Sequence, residues 1–284
     1  MIDCDEQKKS ITEFDNGNLL VRCDNSVVYN KVLVERVNYL LNKEFSRTIY
    51  ILTPSQSLAS EVKQIIDDET GREKNVYVSS VGEFCRDIID RIGFYVGYDT
   101  QQIGIYNNDV RKKLVKDLIY QDPIINSLYS EYKEDQQEVF IDKTVELITK
   151  IKINMISEDS LNNLETEDIV LKTYYAYCNR MKYFSVPDYY DLIYDVLKAF
   201  SIDNSTQYLY AIRFIYMIVV GVEQLSKVEY TLVKSFIDTE KISEIPKIFT
   251  FIGNPDSVVD DNKNIFKYIV NDFQPTILSL DENT

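Results

Sequence analysis

Apolar positions along this 284-residue chain follow two rhythms. Up to about residue 92, short β-rich runs alternate with stripes at helical spacing. Leu19, Leu20 and Val21 make the first run, after which Leu33, Val37, Leu40 and Leu41 share one face of a helix. TIYILT at 48–53 predicts a second strand, followed by Pro54-Ser55-Gln56-Ser57 and a helix over about 58–66. NVYVSS at 75–80 predicts a third, and Val81-Gly82-Glu83-Phe84-Cys85 leads into a helix carrying Ile88, Ile89 and Ile92. Three strand–turn–helix units in succession predict βαβ connections and a parallel sheet.

From about residue 93 to 185 the spacing is helical throughout. Val110, Leu114 and Leu118 fall four apart, a segment over 135–156 lines up Ile141, Val145, Ile148 and Lys152, and a tyrosine-rich helix spans 168–183. A further stripe, Tyr189, Leu192, Ile193, Val196, Leu197 and Phe200, starts beside Pro187, and Asp188 and Asp191 complement the dipole of its first turn. Strands return at 214–220 (FIYMIVV), at 247–252 (KIFTFI) and from Thr276 onward, with a helix over 264–273 before the last. The expected architecture is a three-layer α/β core from residues 1–92 and 188–284, with an all-helical insertion over 93–187.

Composition narrows the chemistry. The chain has no histidine, which excludes Ser-His-Asp and Cys-His catalysis, His-ligated metals and histidine acid–base work. Its four cysteines, Cys4, Cys23, Cys85 and Cys178, are far apart with no C-x-x-C, so reduced thiols and no metal site are expected. The apolar run over 208–220 is too short to span a bilayer and contains Arg213, and the first ten residues have no apolar signal core. A cytoplasmic protein without membrane contact is expected. A net charge of −15 opposes strong binding of DNA phosphates unless basic residues are segregated.

The turn after the first strand reads Cys23, Asp24, Asn25, Ser26, Val27, Val28, Tyr29, Asn30. A phosphate-binding loop at this place needs glycines, then Lys and Ser/Thr for phosphate and Mg²⁺. Neither a glycine nor a lysine is present. The flanks, Leu19-Leu20-Val21 before and Lys31-Val32-Leu33-Val34 after, resemble the first RecA-like domain of the UvrD/Rep-like superfamily 1 DNA helicases. In that resemblance Tyr29 falls on the catalytic lysine, Asn30 on the Mg²⁺-binding threonine, and Asp24 and Val28 on loop glycines.

Later segments carry the resemblance onward in order. Gln7 and Ile11 match the segment whose Gln reads adenine. Thr53, Ser55, Gln56, Ala59 and Glu61 are similar to motif Ia, and Ser80 and Phe84 to motif Ib, which together hold single-stranded DNA in the family. The helices over 93–187 occupy the place of the helical 1B subdomain, and Asp188-Tyr189-Tyr190-Asp191-Leu192-Ile193 resembles D-F-x-D-L-L. After FIYMIVV the family has D-E-x-Q-D; here Gly221-Val222-Glu223-Gln224 follows, with Val220 and Gly221, or Gly221 and Val222, at the two acids. Gly253, Pro255 and Asp256 match motif III, whereas Asn254 replaces its first Asp and Ser257 its Gln. Residues 276–283 look like the start of motif IV, and the chain stops before that motif's Arg.

The resemblance implies a P-loop NTPase (RecA-like) fold with an altered nucleotide site made of Gln7, Asp24, Val28, Tyr29, Asn30, Gly221, Gln224, Gly253 and Asp256. It implies a nucleic-acid groove made of Thr53, Ser55, Gln56, Ser80 and Phe84. ATP and Mg²⁺ are expected only if the family activity were retained. The expected function is an ATPase-inactive interaction or scaffold subunit in DNA repair, recombination or defence. Its partner would be a helicase or nuclease subunit, or a separate second RecA-like domain. The alternatives are an ATP-independent single-stranded DNA-binding module, binding weakly, and an active ATP-dependent DNA helicase.

Overall fold

The computed structural model describes residues 4–23, 26–43, 47–71, 74–92, 108–156, 158–161, 166–184, 187–202, 208–210, 212–238, 245–257 and 265–280. The chain divides into two compact units, one from residues 1–87 with 197–284 and the other from 88–196.

The first unit is built on six parallel strands: β1 (Leu19–Cys23), β2 (Ile49–Thr53), β3 (Val76–Ser80), β4 (Tyr216–Val220), β5 (Ile248–Gly253) and β6 (Thr276–Leu280). They are ordered β3-β2-β4-β5-β1-β6. Registers such as Ile49 opposite Tyr216 and Leu19 opposite Thr250 bring all the carboxyl ends to one edge. Helices α1 (Cys4–Thr12), α2 (Ser26–Lys43), α3 (Gln56–Thr70) and α4 (Val81–Ile92) follow the first half of the sheet in sequence. Central β4 is buried along its whole length, as a strand covered on both faces must be.

One sheet face carries Val21, Ile49, Ile51, Ile218 and Val220, packed with Leu33, Val37 and Leu40 of α2 and Val62 and Ile66 of α3. This is the stripe read from the sequence, and its burial supplies most of the helix's stability. The other face is aromatic: Phe214 lies 4.6 Å from Tyr50, 5.2 Å from Phe84 and 4.7 Å from Phe236, ring centre to ring centre. Edge-to-face contacts dominate there, as ring quadrupoles favour. α3 opens where Ser55 Oγ accepts the Leu58 N–H and closes at Gly71, which takes a left-handed φ of 75°.

The second unit contains α5 (Asn108–Gln121), α6 (Pro123–Tyr129), α7 (Glu134–Ile153), α8 (Glu158–Leu161), α9 (Asp168–Phe184) and most of α10 (Tyr189–Ile202). Val115, Ile119, Phe140, Ile148 and Tyr177 form its core. Of the Val110–Leu114–Leu118 reading of α5, Leu118 is buried and Leu114 packs against the core, but Val110 is 40% exposed, and Arg111, Val115 and Ile119 also face inward. What draws Arg111 in is Asp188, which is fully buried. The Asp188 carboxylate accepts from Lys152 Nζ at 2.6 Å and from the Tyr177 hydroxyl at 3.0 Å, and lies 3.3 Å from Arg111 Nη2. Its other oxygen accepts the Tyr190 and Asp191 backbone N–H groups and caps α10. Helix-terminal capping is therefore only part of what Asp188 and Asp191 do, because Lys152 binds both. No described helix is long and apolar enough to cross a membrane.

Beyond Val222–Gln224, a short 3₁₀ turn, come α11 (Lys227–Asp238) and α12 (Ile265–Phe273).

Candidate functional site

Ligands of open parallel sheets bind outside the carboxyl ends of the strands. A cavity of about 230 Å³ lies there, lined by Cys23 of β1, Tyr29 of α2, Leu58 and Glu61 of α3, Val220, Gly221, Glu223 and Gln224 at and after the end of β4, and Ile252, Gly253 and Asn254 at and after the end of β5. The helix α2 starts at Ser26, sooner than the turn read over 23–30, so Tyr29 and Asn30 belong to its first turns.

Two glycines shape the cavity. Gly221 has φ 75°, and a Cβ on it would lie 2.8 Å from Leu58 Cδ2. A side chain at this position would be both strained and crowded. A Cβ on Gly253 would meet Glu223 Oε2 at 2.3 Å and Val222 Cγ2 at 2.7 Å. The Glu223 carboxylate thus lies directly over the end of β5, where it accepts the Asn254 N–H at 3.1 Å. Val222, by contrast, is fully buried. Asn254 in turn holds the next turn, its Oδ1 accepting the Asp256 N–H at 2.8 Å, and Asp256 itself is exposed.

Electrostatically the cavity is acidic. Among the described residues lining it, the charged ones are Glu61 and Glu223; none is Lys or Arg. Burial first, and then the carboxylates of Glu61 and Glu223, push the Tyr29 phenol up to about 12, so it stays neutral and available as a donor. The Asn30 amide oxygen is buried with no hydrogen-bond partner among the described residues. Among those residues no three Cys, Asp or Glu side chains come together as a metal would need.

Of the nine residues read as the altered nucleotide site, Tyr29, Gly221, Gln224 and Gly253 line the cavity. Asp24 lies outside the described residues, as do the side chains of Gln7 and Val28. The five groove residues divide differently. Ser55 and Gln56 are exposed at the start of α3, the first serving as its cap. Thr53 and Ser80 are buried, the Thr53 hydroxyl donating to the Ser55 carbonyl and Ser80 Oγ accepting the Glu83 N–H. Phe84 is 3% exposed within the aromatic face and offers no ring to a base in this arrangement.

The model of the UvrD/REP helicase N-terminal domain matches residues 6–268. The chain belongs to that family. It is similar to the ATP-dependent DNA helicases PcrA of two strains of Staphylococcus epidermidis, at 25% identity over 238 residues in each case. That stretch is 81% of this chain but 31% of the helicase, so the chain spans about a third of the length of these curated relatives. The parallel sheet is the RecA-like core that membership implies.

Sequence reading missed Glu223, the side chain that most determines the floor of this UvrD-family cavity. It lies one residue beyond the later of the two positions considered for the acid pair. Its signal was there to find, because it is the acidic residue nearest the end of a buried strand whose carboxyl edge faces the site. Glu61 was noted only as a motif Ia match, and nothing in its helical spacing shows that it reaches the cavity.

Proposed function

We propose that this UvrD-family domain neither holds nor hydrolyses ATP at its carboxyl-edge cavity, and serves as an interaction or scaffold subunit in DNA repair, recombination or defence. One observation carries the reading: among the described residues the lining offers two carboxylates, a neutral phenol and no Lys or Arg, where a triphosphate requires cations. Each charge-assisted phosphate contact contributes about 1.5–3 kcal/mol, so losing the lysine and both Mg²⁺-side acids removes several powers of ten in affinity.

The residues do not fit Mg²⁺ either. Gly221 has no room for a carboxylate and Val222 is buried, which leaves the neutral Asn30 oxygen as the remaining family-position ligand. The Glu223 carboxylate is engaged by the Asn254 N–H instead. A protein partner, whether a helicase or nuclease subunit or a separate RecA-like domain, would cover the cavity at half-buried Tyr29 and Leu58 and exposed Glu61 and Gln224. Single-stranded DNA binding is weak in this account, because Phe84 is buried and the net charge is −15.

The test is turnover. Phosphate release from ATP by the purified chain, with and without single-stranded DNA, is expected at the level of a no-protein control. Hydrolysis that disappears in Tyr29→Ala would refute the proposal.

A further inference from the structure

Size limits what the carboxyl-edge cavity can take. Its volume of about 230 Å³ is below the about 300–1,000 Å³ of small-molecule sites, so it admits one side chain rather than a whole ligand. Leu58 and Val220 give it apolar walls, Gln224 an amide, and Glu61 and Glu223 two carboxylates. The two carboxylates converge, because both act on the Tyr29 phenol, which lines the same space. Glu61 is exposed on α3 and enters no hydrogen bond or ion pair among the described residues. Glu223 is half-buried; its Oε2 accepts the Asn254 N–H at 3.1 Å and its Oε1 only a long 3.5 Å contact from Gln224 Nε2. Each of those oxygens keeps a lone pair for a further donor.

From this geometry we infer that the cavity receives one arginine side chain of the protein that covers it, an inference that rests on the interaction reading proposed above. A guanidinium is planar, always charged and carries five donors, which suits acceptors spread around a small space. It can meet both carboxylates and the Gln224 amide while its face lies against the Tyr29 ring. Leu58 and Val220 cover its methylene stem. The amino-terminal ends of α2 and α3 reach this edge with the opposite sign, but each contributes about half a charge against two full carboxylates. Glu223 should hold the guanidinium more firmly than Glu61 does, because a charge-assisted contact that is partly out of water is screened less than one at the surface. With room for a side chain only, the rest of the ligand must lie outside, over half-buried Tyr29 and exposed Gln224, as a protein surface would.

The probe is a blocked arginine, N-acetyl-arginine amide, titrated into the whole isotope-labelled chain and followed by nuclear magnetic resonance at the Gly221 and Gly253 amides. Its neutral isostere, N-acetyl-citrulline amide, is the control. Saturable shifts in the range of about 1–10 mM are expected with arginine and none with citrulline. Glu223→Gln keeps an oxygen for the Asn254 N–H and should weaken binding by about ten-fold, and Glu61→Gln by about two-fold, both with unchanged unfolding temperatures. Raising the salt from about 0.05 to 0.5 M should weaken it further. No saturable shift up to about 50 mM, equal binding of citrulline, or an affinity indifferent to both carboxylates overturns the inference. Phosphate release from ATP, measured on the same chain, keeps the two readings apart. Absence of turnover together with absence of arginine binding removes this inference alone, whereas turnover removes the interaction reading beneath it as well.

Discussion

Replacing Asp188 tests the physics of the helical unit, and two substitutions separate its two roles. Asp188→Asn keeps a side-chain oxygen for the Tyr190 and Asp191 N–H groups but removes the charge that Lys152 and Arg111 face. Asp188→Ala removes both. Breaking one side of a buried ion pair costs about 3–5 kcal/mol, because the remaining cation stays desolvated. Here Lys152 retains Asp191 at 2.7 Å and Arg111 retains the Thr149 hydroxyl at 2.8 Å, which places the Asn variant toward the lower end, at about 3 kcal/mol. Loss of the cap adds about 1 kcal/mol in the Ala variant. At an m-value of about 2 kcal/mol/M, urea unfolding followed by circular dichroism should show midpoints lower by about 1.5 M and 2 M respectively. A shift under about 0.3 M in both variants would refute the claim that this network holds the unit together.

Three further outcomes follow from particular contacts. Gly221→Ala must place a Cβ in a left-handed backbone against Leu58, and should destabilise the chain by about 1–3 kcal/mol, read from the urea midpoint; no change would mean the turn relaxes freely. Phe84→Ala should cost about 3–5 kcal/mol of stability in the same assay and leave the fluorescence anisotropy of a single-stranded DNA titration unaltered; the reverse pattern would put Phe84 in a DNA groove. Acid should remove what Asp188 in particular contributes to the helical unit. Burial alone would raise the Asp188 carboxyl, but Lys152 and Arg111 outweigh it and hold the group below its ordinary value. Its contribution is therefore fully present above the unfolded value of about 3.9 and is lost as pH falls through the lower folded value, a slope that Asp188→Asn should flatten.

How legible the fold was depends on the length over which a period persists. Short apolar-rich runs, as at 48–53, 214–220 and 247–252, placed β2, β4 and β5 to within two residues. The α2 stripe was equally clear, since Leu33, Val37, Leu40 and Leu41 all face the core. In α5 the reading held for Leu114 and Leu118 but missed that the inward face includes a charge. Periodicity counts Arg111 as polar, and only Asp188, 77 residues away in sequence, shows why it is buried. Lys152 had been placed correctly on the apolar side of α7, but without its partners the reason was not visible.

At the candidate site the motif order located the carboxyl-edge residues, because strand ends carry them there whatever their chemistry. Which side chain fills the space is a matter of close approach. The position of Glu223 after a buried strand is a local signal, but the 2.3 Å between a hypothetical Gly253 Cβ and Glu223 Oε2 is a tertiary fact. For the same reason the Ser55 cap of α3 was readable from local pattern, whereas the burial of Thr53, Ser80 and Phe84 was not.

The central claim, that the carboxyl edge of this UvrD-family sheet does not hold nucleotide, is met most directly by calorimetric titration with ATP and Mg²⁺. The account predicts no saturable heat up to about 1 mM ATP. Saturable binding tighter than about 100 μM, lost in Tyr29→Ala or Asn30→Ala, would contradict it.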